Sequence, residues 1–148
     1  MNLWKKITDC LVTQRLQFAK GATLEVNGLE MVLPITLNYT SALVTQTIYT
    51  ASRPVKIKAI NGRTRVAGSG GACTLAFYKA ASTVAVGSGT ALHSGSFNVA
   101  GTADTNQALT LSTDVNTLTL AAGDSIGYVL TGTATSAVGN ISIDVVAA

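Results

Sequence analysis

The sequence predicts an all-β protein, an antiparallel β-sandwich preceded by an N-terminal arm or short helix. Short apolar segments with alternating periodicity recur from residue 22 onward, separated by Gly, Ser, Asn and Asp. No helical periodicity is evident after residue 20. A jelly roll is the first choice among sandwiches, and an immunoglobulin-like sandwich is the second, because the Cys…Trp…Cys spacing of that fold is absent.

The composition favours one domain that works in an assembly. A chain of 148 residues is long enough for a single core. We expect residues 1–34 to form an arm with a hairpin and residues 35–148 to form the sandwich. Charged residues make up 11% of the chain, compared with about 25% in typical soluble domains. Because so few charges give little repulsion between copies, we expect a homo-oligomer or a larger complex.

Charge is distributed unevenly along the chain. All ten Lys and Arg residues lie at or before Lys79, with three acidic residues, whereas the remainder carries only four aspartates. The sequence is therefore electrically two-ended, and it offers few reactive side chains. This pattern is typical of a protein that binds a surface and not of one that turns over a substrate.

The N-terminal stretch 3–20 has weak helical spacing, with poor helix formers in it, so a helix and an extended arm both remain open. Its apolar run is interrupted by polar and charged residues, which argues against a cleaved signal peptide. No apolar run approaches the ~20 residues that cross a bilayer. We expect no membrane partner and synthesis in the cytoplasm.

A hairpin is predicted around Asn27-Gly28, a dipeptide suited to a two-residue turn. In that register Glu25 faces Glu30, which is mildly destabilising and indicates a nearby cation or another register. A role for this carboxylate pair in acid–base chemistry is disfavoured, because no supporting His, Lys or metal ligand is marked.

Further strands are predicted over 35–39, 42–49 and 54–60. Asn61-Gly62 is either a tight turn or a bulge within one long strand. Val55 and Ile57 are expected to face the core. The nearby cations then form the densest basic patch of the chain: Arg53, Lys56, Lys58, Arg63 and Arg65.

This basic patch favours a protein partner or a solvated face over nucleic acid. Nucleic-acid modules usually combine cations with exposed aromatic rings, and aromatic residues are 5% of this chain. An acidic protein surface would meet the patch equally well.

Apolar residues at spacing two predict seven more short strands. The glycine-rich segment 68–71 is expected to be a flexible loop or an open turn and not a phosphate cradle. Cys73 is expected to be a buried, reduced thiol. The predicted strands centre on Leu75/Phe77, Val84/Val86, Phe97/Val99, Leu109/Leu111, Leu118/Leu120, Ile126/Tyr128/Leu130 and Ile141/Ile143/Val145.

The sequence does not indicate an enzyme, a metal or a cofactor. His93 is the single histidine and is interpreted as a surface turn residue, since no partner for catalysis or metal binding can be named. Two cysteines and one histidine cannot form a metal quartet, and a cupin-like site would need several histidines.

The segment 118–130 carries a Leu-x-Ala-Gly-Asp-x-Ile-Gly pattern, in which Gly123-Asp124 ends one strand and begins the next. A Gly/Thr-rich turn at 131–133 and a last strand over 141–145 follow it. Together with the basic strand and the loop after it, residues 50–148 resemble jelly-roll capsid decoration (cement) proteins of tailed bacteriophages. Trimeric jelly rolls of the TNF/C1q type and phage fibre tips share the Gly-Asp turn.

This resemblance implies a non-enzymatic virion protein on the outside of an assembled capsid, where it bridges major capsid subunits. Its partners would be the major capsid protein and other copies of itself. The expected capsid contacts are Trp4, Ile7 and the basic patch.

The alternative function is a receptor- or glycan-binding tip domain of a phage fibre. Glycan sites expose aromatic rings, so exposed rings would favour the tip and buried rings would favour the cement protein. The four tyrosines that decide between them are Tyr39, Tyr49, Tyr78 and Tyr128.

Overall fold

The protein folds into two five-stranded sheets and a small ribbon in a computed structural model that describes residues 31–41, 43–133 and 135–148. The predicted arm, the hairpin at Asn27-Gly28, and Trp4 and Ile7 lie outside these ranges. The strands are β1 (Leu33–Ser41), β2 (Gln46–Thr50), β3 (Val55–Val66), β4 (Thr74–Ala80), β5 (Thr90–Ala91), β6 (His93–Ser94), β7 (Phe97–Asn98), β8 (Asn106–Ala108), β9 (Thr110–Leu111), β10 (Thr119–Leu120), β11 (Ser125–Thr131) and β12 (Ala137–Ala147).

Sheet A has the order β1-β12-β3-β10, with β8 also paired to β3. Sheet B has the order β2-β11-β4-β5, with β7 also paired to β4, and β6 and β9 form a small ribbon. All these pairs are antiparallel. The chain crosses from one sheet to the other at each step from β1 to β4 and again from β10 to β12, which is the connectivity of a jelly roll. The predicted fold class is confirmed.

Strand β3 continues through Asn61-Gly62, so the tight turn is wrong and the one long strand is correct, although no bulge lies at these two residues. Gly62 pairs with Ile141 on β12 and with Gln107 on β8. The register against β12 shifts elsewhere, near Lys58 and near Arg65. These two bulges bend β3 on either side of its middle.

The core lies between the two sheets, where alternate residues point inward. Val55 and Ile57 are buried as predicted, and Cys73 is a buried free thiol whose pKa is raised by burial. Phe77, Phe97 and Tyr128 are the largest fully buried side chains. The Phe77 and Tyr128 rings meet edge to face with centroids 6.1 Å apart.

Two predictions about local structure are wrong. Val84/Val86 does not form a strand, because Val86–Ser88 is a single 3-10 turn. Val86 packs over Gly127 on the outer face of sheet B, where a Cβ on Gly127 would lie 2.7 Å from a Val86 methyl group. The second wrong prediction is that no helix follows residue 20, because a short helix α1 (Val115–Leu118) precedes β10. The Asp114 carboxylate caps this helix and accepts a hydrogen bond from the Asn116 amide at 2.9 Å.

The glycine-rich segment 68–71, predicted to be a flexible loop or an open turn, is a bend held in place by hydrogen bonds to Thr135. Ser69 and Thr135 exchange two backbone hydrogen bonds of 3.0 and 3.2 Å. Their hydroxyl groups lie 2.9 Å apart, and Thr135 Oγ1 also donates to the Ser69 carbonyl at 2.8 Å. Side-chain pairing therefore fixes this loop against the segment before β12.

The predicted turn at Gly123-Asp124 is confirmed. Gly123 has φ +91°, and the Asp124 carboxylate accepts a hydrogen bond from the Ala121 amide.

Candidate binding surface

Within residues 31–41, 43–133 and 135–148, no three His, Cys, Asp or Glu side chains lie close enough to hold a metal ion. None of the helices in that part of the chain is long and apolar enough to span a membrane.

His93 is buried and not a surface turn residue, so this interpretation is wrong. Its side chain is 8% exposed, and Nε2 accepts a hydrogen bond from the Phe77 amide at 2.8 Å. Nδ1 lies 3.3 Å from the Ser94 carbonyl, so this nitrogen carries the proton. Strand β4 pairs with β5 on one side of Phe77 and with β7 on the other. The imidazole supplies the acceptor for the Phe77 amide in the gap between these two pairings. Its role is structural.

We expect the protein to lose stability in mild acid because of His93. Burial lowers the pKa of His93 below the usual value of about 6.5. The unfolded chain therefore binds a proton more readily, and stability falls as the pH drops from about 6.5 through the folded-state pKa. Urea unfolding at pH 7.5 and 5.5 checks this. His93→Gln keeps a hydrogen-bond acceptor but cannot titrate, so this variant should lose less stability between pH 7.5 and 5.5 than the wild type. An equal loss in both proteins would show that His93 is not the titrating group.

The outer face of sheet A presents a polar surface made of matching positions on four strands. One row across the sheet is Asn38, Asn140, Arg63 and Asn106, and the next is Thr36, Ser142, Asn61 and Ala108. We call these eight residues the amide face. With strands about 4.8 Å apart, each row is about 14 Å long.

The amide face contains an open depression of about 360 Å³ over β3, β8 and β12. Amide, hydroxyl and guanidinium groups line it, including those of Asn61, Arg63, Asn106 and Asn140. The amide and hydroxyl groups offer uncharged donors and acceptors, and Arg63 adds one positive charge. Sequence reasoning missed the asparagines of this face, because each lies on a different strand and only the pairing register brings them together.

The predicted basic patch is a line along sheet A and not a compact cluster. Its strand members extend from Lys56 to Arg65, which is about 30 Å of extended chain. Arg53, Lys58, Arg63 and Arg65 are exposed, and Lys56 is half-buried. Arg63 donates to the Asp104 carboxylate at 3.1 Å, so this cation is already paired.

The fold brings acidic residues from the second half of the sequence close to cations from the first half. Asp104 pairs with Arg63, and Asp144 lies opposite Ala59, the neighbour of Lys58. Lys79 donates to the Asn116 and Thr119 carbonyls at 2.7 and 3.0 Å, at the C-terminal end of α1. Over the described part of the chain, the two-ended charge of the sequence does not become a two-ended molecule.

The tyrosine rings are withdrawn from solvent. Tyr39 is 3% exposed and Tyr128 is fully buried, while Tyr49 and Tyr78 are half-buried. Burial raises the pKa of Tyr39 and of Tyr128, and their hydroxyl groups bond to Thr64 and Gln46. The Tyr39 and Tyr128 rings therefore offer no free face for stacking on a sugar.

The sequence matches no family model and no curated protein. The fold matches a chain in the capsid of Ralstonia phage GP4 with 11% identity and a TM-score of 0.51, over 86% of this chain and 90% of that chain. A chain of the cyanophage Pam1 capsid asymmetric unit is 11% identical with a TM-score of 0.49, over 91% and 100% of the two chains. The first likeness shows a shared fold.

Proposed function

We propose that this protein is a non-enzymatic structural component of a phage virion, a decoration protein that binds the outside of an assembled capsid and bridges major capsid subunits. The observation that carries the proposal is the jelly roll shared with a phage capsid chain over 86% of this chain and 90% of the other. The partners would be the major capsid protein and further copies of this chain. The protein would be made in the host cytoplasm and act on the capsid surface.

The surface chemistry supports a binding role. A decoration protein needs many weak contacts repeated by symmetry, and these do not depend on perturbed ionisable groups. The amide face offers such contacts over four strands, with Arg53, Lys58 and Arg65 exposed nearby. The buried and half-buried tyrosines count against the alternative of a glycan-binding fibre tip.

The amide face with the basic strand is the capsid contact in this proposal. The outer face of sheet B is less suitable, because the segment around Val86 packs on it. An amide-rich face meets the polar outer surface of a shell through hydrogen bonds, and the cations add attraction to acidic groups on it. Trp4 and Ile7 are the second proposed contact.

Shells assembled from the major capsid protein of the same genome, without decoration, provide the test. We expect Asn140→Arg to weaken binding at least about tenfold, because a long cation in the middle of the amide face would prevent close docking. Ser82→Lys, in an exposed turn beside sheet B, is the control and should bind like wild type. Arg53→Glu with Arg65→Glu should weaken binding most at low salt.

The outcomes separate the two proposed contacts. Loss of binding in Trp4→Ala with Ile7→Ala, but not in Asn140→Arg, would move the contact to the arm. If wild-type protein binds no shell at all and is a stable trimer in solution, decoration is excluded and the fibre tip becomes the better interpretation.

A further inference from the structure

The outermost strands are short on one side of the sandwich and longer on the other. On one side, sheet A ends in the short strands β8 and β10, and sheet B ends in β5 and β7, each of two or three residues. The ribbon β6–β9 lies along that side. The bond from the Leu92 amide to the Phe77 carbonyl ties it to β4, and the bond from the Leu109 amide to the Ile60 carbonyl ties it to β3. Gln107 then bridges the sheets, bonding both backbone groups of Asn98 at 2.9 and 2.8 Å.

The other side is formed by β1 and β2, the outermost strands of sheets A and B. We call it the β1/β2 edge. Strand β1 is nine residues long, and within the described residues it pairs only with β12. A long outermost strand leaves a row of backbone donors and acceptors available to another strand.

Strand β1 has almost none of the usual protection against such pairing, whereas β2 carries a register shift at Ile48. Proteins guard edge strands with charged side chains, proline or bulges. The 22 residues from 31 to 52 contain no Asp, Glu, Lys or Arg, although the chain has 17 such residues in total. Pro34 is the single proline in this stretch, and it stands at the second position of β1, leaving the rest of the strand unguarded.

Exposed apolar side chains flank β1, three at its start and one just beyond its end. Met31, Val32, Leu33 and Val44 are 67%, 46%, 41% and 61% exposed, and they are four of the seven large exposed hydrophobic residues in the part of the chain that the structure describes. A groove of about 230 Å³ lies between β1 and β2; its lining is mostly polar, with Leu37 and Val44 among its residues. The exposed apolar side chains at the ends of β1 are costly to leave in water.

We infer that the β1/β2 edge is an interface between two copies of this chain, with β1 paired antiparallel to β1 of the second copy. The edge is complementary to itself, because a two-fold axis near Leu37 would bring two neutral strands together without placing like charges opposite each other. A net charge of +3 on each copy adds only weak repulsion. The pairing would join the two A sheets into one.

The size of the edge fits this partner. Nine residues extend about 30 Å, and two sheets with their side chains are about 20 Å thick, which gives about 600 Å² per copy. Standard stable interfaces bury about 800 Å² per partner. The apolar residues Met31 and Val32, which precede β1, would add to the area. The inference concerns the protein without any capsid, so it stands or falls independently of the decoration function.

The test is the mass of the full chain in solution, measured by analytical ultracentrifugation from 1 to 100 µM. We expect a species of two 15.1 kDa chains. With the axis near Leu37, Thr36 lies beside Asn38 of the second copy, so Thr36→Lys with Asn38→Lys should weaken dimerisation at least about tenfold. Thr36→Lys with Asn38→Glu should retain it, because each Lys then meets a Glu. Ser82→Lys with Thr113→Lys, far from the edge in sequence and both exposed, controls for added charge.

Hydrogen exchange of the β1 amides identifies the occupant of the edge. Protection that rises with protein concentration supports the dimer. A wild-type monomer whose β1 amides are protected at every concentration would overturn the inference in favour of residues 1–30 of the same chain. A wild-type monomer protected only after shells are added would overturn it in favour of the capsid protein. An unchanged mass in the double-lysine variant would overturn it as well.

Discussion

Phe97→Ala is expected to lower the free energy of unfolding by about 3–5 kcal/mol, as is typical of removing a buried aromatic ring. Phe97 is fully buried, and it packs directly on the backbone of Gly62 in the middle of β3. A Cβ on Gly62 would lie 2.5 Å from Phe97 Cε2 and 3.0 Å from Ile141 Cγ1. The ring therefore fills the space that a side chain at position 62 would need. Urea denaturation measures the change.

A double-mutant cycle tests whether the ring and the glycine are coupled. Gly62→Ala alone should cost about 1–3 kcal/mol, because the ring must move away from the new methyl group. In the Phe97→Ala background the same change should cost much less, since the methyl group enters the cavity. Additive costs, or a loss below about 1 kcal/mol for Phe97→Ala, would contradict this packing.

Gly139→Ala is expected to cost about 2–4 kcal/mol, through overpacking and a disrupted buried hydrogen bond. Gly139 lies on β12 between Tyr39 of β1 and Thr64 of β3. The Tyr39 ring crosses over it to reach Thr64 Oγ1 at 2.9 Å. A Cβ at position 139 would overlap the Tyr39 hydroxyl and the Arg63 carbonyl oxygen, and the latter is backbone that cannot move aside.

Gly87→Ala is the matched control, because a Cβ there makes only an ordinary 3.5 Å contact with Val129. It should change stability by less than about 0.5 kcal/mol. Tyr39→Phe isolates the hydrogen bond and should cost about 1–2 kcal/mol by leaving the Thr64 hydroxyl without its partner. Thermal unfolding of the three variants in parallel gives the comparison. Equal midpoints for Gly139→Ala and Gly87→Ala would contradict the crossing of Tyr39 over Gly139.

The sandwich could be predicted from the sequence because its long strands alternate strictly. Ile126, Tyr128 and Leu130 mark β11, and Ile141 and Ile143 mark β12, with inward side chains at every second position. Gly123-Asp124 identified a turn by the conformations that glycine and aspartate favour. In such segments local preference and burial agree.

The errors arose where tertiary contacts decide. Val84 and Val86 have the spacing of a strand, but Val86 packs over Gly127, which has no side chain to exclude it. His93 is flanked by turn residues in the sequence, yet its ring is drawn inward to bond the Phe77 amide. The amide face depends on the register of four strands, which alternation alone does not give.

The number of copies bound per capsid tests the central claim most directly. Undecorated shells are mixed with increasing amounts of the protein and sedimented, and the bound copies are counted per major capsid subunit at low and high salt. Decoration predicts saturation at a fixed simple ratio to the lattice, with the affinity and not the ratio falling as salt rises. Binding that fails to saturate, or no binding to the shell at either salt concentration, would contradict it.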